Sequence, residues 1–220
     1  MSKNINQGKC IVIGAGDLTV GTINITEDDL VIAVDGGLNY CDLLEVEPDL
    51  ILGDFDSVSQ EQKEALLELQ KQIPDRVISL KPEKDDTDML AALKLGLEFG
   101  YTTFYMYAAT GGRLEHTIAN IQCLLYLKNQ DAVGYIMDGN GMIFVMQNEE
   151  VKLRNNLEGY LSLFSLGKKA EGVTIQGMKY ELLNSTLTND YPLGISNEFI
   201  GEEALIRVED GELVCIINYV

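Results

Sequence analysis

The sequence is short of positive charge, of histidine and of organised cysteine, and each shortage narrows what the chain can do. Across 220 residues, 16 Lys and Arg stand against 35 Asp and Glu, for a formal net charge of −19. With no basic stripe to displace counterions from a phosphodiester backbone or an anionic lipid surface, neither nucleic acid nor a membrane is an expected partner. A nucleotide ligand would need a metal to screen it. The negative field favours approach of a cationic small molecule, although solubility alone accounts for most acidic proteins.

His116 is the single histidine, and no serine sits in a G-x-S-x-G context, which sets hydrolase triads aside. Cys10, Cys41, Cys123 and Cys215 are scattered, with no C-x-x-C pair and no neighbouring His. They read as buried or half-buried thiols, not as a metal knuckle. No apolar run approaches a membrane span, and the opening Met-Ser-Lys-Asn-Ile-Asn-Gln-Gly-Lys lacks the apolar stretch of a secretory signal. A cytoplasmic enzyme is the expectation. The chain has no internal repeat and no low-complexity segment.

What the chain has instead is a hydrophobic fraction of 46%, enough for a buried core in one large domain or two small ones. Up to about residue 137, short apolar runs alternate with helical patterns. Cys10–Ile13, Leu30–Val34, Leu50–Leu52, Val77–Leu80, Thr103–Tyr107 and Ala132–Met137 read as strands. Amphipathic stretches lie between several of them: Gln60–Gln70; Asp88–Phe99 with Leu90, Ala91, Leu93 and Leu97 on one face; and Thr117–Leu127 with Ile118, Ile121, Leu124 and Leu125. Such alternation predicts β-α-β units and a mostly parallel sheet flanked by helices, with ligands at the carboxyl ends of the strands.

After Gly139-Asn140-Gly141 the rhythm changes. Met142–Gln147, Val151–Leu153, Tyr160–Ser165, Gly172–Gln176, Leu182–Leu187, Ala204–Val208 and Leu213–Asn218 are strand-like runs punctuated by Gly, Asn and Asp. They predict an antiparallel sandwich or small barrel. The expected boundary is near residue 138, dividing an α/β domain over 1–138 from a β domain over 139–220. The smaller β part would lean on the first domain or on a second subunit to bury enough apolar surface.

Two acidic clusters carry the chemistry: Gly53-Asp54-Phe55-Asp56-Ser57 after a predicted strand, and Asp85-Asp86-Thr87-Asp88 before a predicted helix. Carboxylates packed this closely repel one another unless a cation sits among them. An oxygen-only donor set disfavours zinc and suits magnesium, which usually carries substrate phosphates on its remaining positions. If the segment is extended, Asp54 and Asp56, two apart, point to the same side in a geometry suited to bracketing one ion. A D-x-D pair also marks phosphatases that use the first Asp as nucleophile.

Thr87 or Asp86 can cap the following helix, and Asp88 suits its positive end. Capping accounts for part of this cluster and leaves the mutual repulsion of all three acids unexplained. Lys81 and Lys84, just upstream, either hold phosphate oxygens or offset the carboxylates. Asp35 closes a strand and precedes Gly36-Gly37, where a tight turn brings ligand close to bare backbone. Ala109-Thr110-Gly111-Gly112-Arg113 leads into a helix and offers backbone N–H groups and a guanidinium to phosphate. Gly14-Ala15-Gly16-Asp17 lacks the third glycine of a dinucleotide fingerprint and reads at most as a turn near the nucleotide. In the β part, Gly177-Met178-Lys179-Tyr180 and Gly194-Ile195-Ser196-Asn197-Glu198 read as loops. Tyr180 can stack on a heteroaromatic ring, and Ser196 or Asn197 can bond its edge.

Taken in order, V-D-G-G, G-D-F-D-S, K-D-D-T-D, T-G-G-R-x-x-H and the late G-M-K-Y and I-S-N-E segments resemble the thiamine pyrophosphokinase family across essentially the whole chain. The resemblance implies an N-terminal α/β catalytic domain, a C-terminal thiamine-binding β-sandwich, and a homodimer whose sites combine both domains across the subunit interface. It implies transfer of the pyrophosphoryl group of ATP to the thiamine hydroxyl, with release of AMP. Asp54, Asp56 and Asp88 would hold Mg2+, and Asp35 would sit beside the ion or the substrate hydroxyl. Lys84, Asp85, Thr87, Gly111, Gly112 and Arg113 would lie about the phosphates, and Tyr180, Ser196 and Asn197 about thiamine. Family members commonly carry Asp two residues after the Arg of G-G-R, where this chain has Glu115, whose charge sits about a methylene farther out. A pyrophosphokinase acting on a hydroxymethylpterin, a D-x-D phosphatase and a non-catalytic thiamine or nucleotide sensor remain the alternatives.

Overall fold

The computed structural model describes residues 8–53, 68, 70–71, 76–79 and 85–220. The chain divides into two compact units, Met1–Cys123 with Gln130–Gly139, and Leu124–Asn129 with Asn140–Val220.

In the first unit, six strands run parallel: β1 (Cys10–Ile13), β2 (Leu30–Val34), β3 (Leu50–Gly53), β4 (Val77–Ser79), β5 (Thr103–Tyr107) and β6 (Val133–Asp138), in the order β6-β5-β1-β2-β3-β4. Strands buried on both faces read as unbroken apolar runs, which is why Cys10–Ile13 shows no alternation. All four of its residues are fully buried. Three helices are described: α1 (Leu38–Leu43) and α2 (Asp88–Glu98) in this unit, and α3 (Leu114–Lys128), whose residues from Leu124 onward count with the second. The short α1, entered through a 3₁₀ turn at Asp35–Gly37, has too few residues for its periodicity to show in the sequence.

Both longer helices bury a stripe rotated from the expected one, sharing with it only Leu93 in α2 and Leu124 in α3. In α2 the buried residues are Met89, Ala92, Leu93 and Gly96, not Leu90, Ala91 and Leu97. Small residues face the sheet so that the helix can approach it closely: a Cβ on Gly96 would fall 2.6 Å from the Phe104 ring and 2.8 Å from Cys10 Sγ. In α3 the buried stripe is Asn120, Cys123, Leu124 and Leu127, whereas Ile118 is exposed. That helix also begins three residues before Thr117, at Leu114.

The second unit holds β7 (Gly141–Gln147), β8 (Glu150–Leu153), β9 (Tyr160–Ser165), β10 (Lys169–Gln176), β11 (Leu182–Thr188), β12 (Gly194–Glu198), β13 (Ala204–Arg207) and β14 (Glu212–Asn218). They form the antiparallel arrays β12-β9-β14-β7 and β11-β10-β13-β8, which pack as a sandwich through β9 against β11 and β10 against β14. Alternating inward residues, Leu161 and Leu163 on β9 and Ala204 and Ile206 on β13, fill the space between them. The segment Gly194–Glu198, read as a loop, is the edge strand β12. A register shift between Gly194 and Asn197, with Ser196 at φ 55°, interrupts its pairing and hides the strand period. The architecture is α/β followed by an antiparallel β-sandwich. No helix among the described residues is long and apolar enough to cross a membrane.

Candidate active site

β1 lies between β2 and β5, with β3 and β4 added beyond β2 and β6 beyond β5. The strand order therefore reverses at β1, and the carboxyl ends of β1 and β5 bound the crevice where open α/β sheets bind ligands. The register keeps those ends level, Ile13 opposite both Ala33 and Tyr107. Gly14, Asp35 and Ala108 are the residues that follow the three strands, and all three line one pocket of about 380 Å³.

Backbone hydrogen bonds lace the two loops together. Gly14 N donates to Tyr107 O at 2.9 Å, Gly16 N to Ala108 O at 2.7 Å and Asp17 N to Thr110 O at 2.8 Å. Tyr40 Oη donates to Gly16 O at 2.7 Å, tying α1 to the first loop. Ala108 takes φ 48°, a left-handed conformation that a residue with a Cβ adopts only where its surroundings enforce it. Glycine is required at 111, where φ is 78° and a Cβ would collide with the Asp17 carboxylate.

Asp35 also has positive φ, 48°, and is half-buried with its Oδ1 sealed from solvent. That oxygen lies against Gly53, where a Cβ would collide with it. Thr87 caps α2, its Oγ1 accepting from Leu90 N at 3.2 Å, and Asp88 stands in the first turn. Both line the pocket, as do Gly111, Gly112 and Arg113. Arg113 is exposed at the rim, where its Nη2 contacts His116 Nε2 and its Nε lies 3.6 Å from Glu115 Oε1. Asp85 is exposed and does not line the pocket. Asp86 is held by Lys94, whose Nζ donates to both its carboxylate oxygens at 2.8 and 2.6 Å. The ion pair offsets part of the repulsion within the cluster.

Asp54, Asp56, Lys81 and Lys84 lie outside the described residues, as does nearly all of the stretch Gln60–Gln70. Among the described residues no three His, Cys, Asp or Glu side chains form a cluster able to hold a metal. Sequence reasoning missed Asn120, buried on the inner stripe of α3 and lining the pocket, with its Nδ2 donating to Ala109 O at 2.7 Å. The signal was present as an amide on the side of the helix away from Ile118. It also undervalued Gly14-Ala15-Gly16, which forms one wall of the pocket.

In the second unit the Asn197 side chain is buried and pairs twice with one residue. Its Oδ1 accepts from Tyr180 N at 2.9 Å and its Nδ2 donates to Tyr180 O at 2.7 Å. The amide thus fixes the turn that presents the exposed Tyr180 ring. Lys179 Nζ sits 5.8 Å above that ring and 2.5 Å from Glu198 Oε2. Ser196 is exposed, and its N–H donates to Ser162 Oγ at 3.0 Å.

Comparison with known proteins covers both units. The model of "Thiamin pyrophosphokinase, catalytic domain" matches residues 24–136, and that of "Thiamin pyrophosphokinase, vitamin B1 binding domain" matches residues 148–213. A thiamine pyrophosphokinase of Bacillus subtilis is 30% identical over 166 residues, spanning 74% of this chain and 75% of the relative. Thiamine pyrophosphokinase 1 of Oryza sativa is 26% identical over 186 residues, 80% of this chain and 67% of the relative. The crystal structure of the Bacillus subtilis enzyme superposes with a TM-score of 0.83 at 27% identity, covering 97% of this chain and 99% of that one. That of Geobacillus thermodenitrificans thiamin pyrophosphokinase gives 0.81 at 28% identity, covering 97% and 98%.

Proposed function

The chain belongs to the thiamin pyrophosphokinase family, and from that premise we propose how its own residues carry the transfer of the pyrophosphoryl group of ATP to the hydroxyl of thiamine, giving thiamine diphosphate and AMP. One observation supports the placement of the chemistry above all others. Asp35, Thr87, Asp88, Gly111, Gly112 and Arg113, drawn from three distant stretches of sequence, line one pocket at the point where the strand order reverses.

The phosphates lie on the Gly111-Gly112-Arg113 turn and the N-terminus of α2, where backbone N–H groups, the helix dipole and a guanidinium favour negative charge. The oxygen donors of the pocket fit a hard cation: Asp35 presents an enclosed carboxylate oxygen and Asp88 lines the same space. Asp54, Asp56 and Asp88 would hold magnesium, which when bound neutralises phosphate oxygens and stabilises the charge that spreads during transfer. The thiamine hydroxyl oxygen attacks the β-phosphorus in line, the bond from that phosphorus to the bridging α-phosphate oxygen breaks, and AMP departs with its electron pair. The hydroxyl proton passes to a carboxylate, and Asp35 is the proposed acceptor. Positioning and electrostatics dominate such a reaction, in keeping with a pocket that needs no covalent nucleophile.

Residues 1–138 form the catalytic domain and residues 139–220 the thiamine-binding domain in this reading. Tyr180 stacks on a ring of thiamine, Ser196 bonds its edge, and Asn197 acts by holding the Tyr180 turn. Glu115 would orient the substrate from its place beside Arg113. A homodimer is supported by exposed apolar side chains on two edge strands and the turn between them, Leu183, Tyr191, Leu193 and Ile195. Four free, buried thiols accord with the reducing conditions of a cytoplasm.

Asp88→Asn and Asp56→Asn test the site. Each is expected to keep the fold and lose turnover by about 10²-fold or more, since an amide supplies no charge to the ion. Undiminished turnover in either variant removes that residue from the machinery.

A further inference from the structure

We propose that Asn120 is a positioning residue that sets the phosphate-binding turn through the carbonyl of Ala109. Four successive carbonyls after the middle of β5 are each captured by a donor. Gly14 N takes Tyr107 O, Gly16 N takes Ala108 O and Asp17 N takes Thr110 O, all from the loop after β1. The third in the series, Ala109 O, is taken by the Asn120 side chain at 2.7 Å. The amides of the loop after β1 serve Tyr107, Ala108 and Thr110 and pass over Ala109. The gap falls to α3, and Asn120 fills it.

The consequence bears on the site because of where the segment leads. Ala108 and Ala109 are both 4% exposed and Asn120 8%. Ala108 holds a left-handed φ of 48°. Gly111 and Gly112 follow at φ 78° and 58°, and Arg113 ends the turn. A buried carbonyl without a donor would turn toward water, and with the disfavoured Ala108 conformation only weakly held, the turn beyond it would move. Asn120 also lines the pocket, so a shift there is felt where the phosphates bind. Its amide spans helix and turn at a sequence separation of 11 residues, a link made only by the side chain.

This inference rests on the proposed reaction for its kinetic readout, so a second readout is taken from the free protein. Asn120→Asp keeps the size of the side chain and replaces the donor by an acceptor; Asn120→Leu removes all polarity at similar volume. In both variants the KM for ATP is expected to rise about tenfold or more, as a displaced binding turn requires, while the KM for thiamine stays within about twofold. Amide hydrogen exchange without ligands should accelerate at Thr110–Arg113 in Asn120→Asp and stay unchanged in the β-sandwich. A lowered melting temperature with wild-type KM values and wild-type exchange at Thr110–Arg113 would show that Asn120 only packs the helix, and would overturn the proposal. If the leucine variant does not fold, the aspartate variant decides by the same two readouts. Wild-type protein that makes no thiamine diphosphate refutes the proposed function, and exchange at Thr110–Arg113 still judges Asn120.

Discussion

The carboxylate of Asp35, at the end of β2, packs directly against the α-carbon of Gly53, at the end of β3. Two adjacent parallel strands thus deliver an acid and a bare backbone to the same point, and Gly53 is immediately followed in sequence by Asp54. A methyl group at 53 would drive Asp35 out of place or push β3 away from β2. Gly53→Ala is expected to cost about 1–3 kcal/mol of stability by overpacking and to reduce kcat by about 10²-fold through misplacement of the acid. Thermal melting and steady-state kinetics on the variant check both; a fully active alanine variant would show that the contact is incidental.

Asn197→Ala removes the two hydrogen bonds that clamp Tyr180. Loss of both partners from a turn is worth about 1–3 kcal/mol, and the Tyr180 ring should then sample many orientations. The KM for thiamine is expected to rise by about tenfold with little change in that for ATP. Equal effects on the two substrates would place Asn197 elsewhere in the reaction.

The four thiols should be silent in the native protein. Burial, with the nearby Asp42 carboxylate, pushes the Cys41 thiol up to about 11, and burial with Asp86 does the same for Cys123. Burial together with Asp49 raises Cys10, and burial together with Glu149 raises Cys215. A thiol reagent at about pH 8 is expected to modify none of them until denaturant is added, and then all four, because only thiolate reacts.

Asp29 ties the start of β1 to the approach to β2. Its carboxylate accepts from Lys9 N and Thr26 N, each at 2.8 Å, and pairs with Lys9 Nζ at 3.2 Å. Burial pushes its pKa up, yet these hydrogen bonds outweigh that and hold it below the usual carboxylate value. A carboxyl that titrates lower folded than unfolded contributes stability above its unfolded pKa, about 4, and loses that contribution as the pH falls through the folded value. The substitution Asp29→Asn should therefore lower the melting temperature at neutral pH, and the variant should converge with wild type as the pH falls below about 4. A gap that persists unchanged into acid would assign the effect to shape and not to charge.

Much of this arrangement was legible in the residues. Parallel strands buried almost throughout, such as Cys10–Ile13 and Leu30–Val34, carry their identity in unbroken apolar runs, and both occur as read. Helix faces were not legible to the same degree. Hydrophobic periodicity follows large side chains, whereas α2 approaches the sheet through Ala92 and Gly96, which carry little hydrophobic weight. The edge strand β12 was hidden by its bulge, because a residue at φ 55° breaks the period of two. In the pocket, acids and glycines announced themselves by type and spacing. Asn120 did not, since its role comes from a hydrogen bond to a carbonyl 11 residues earlier and from burial that only the folded helix creates.

The proposed reaction moves a pyrophosphoryl group from ATP to thiamine in one step. Phosphorus NMR of the purified protein with ATP, magnesium and thiamine tests it most directly. AMP and thiamine diphosphate are expected to appear in equal amounts as ATP disappears; formation of ADP or inorganic phosphate in place of AMP, or no turnover, would contradict it.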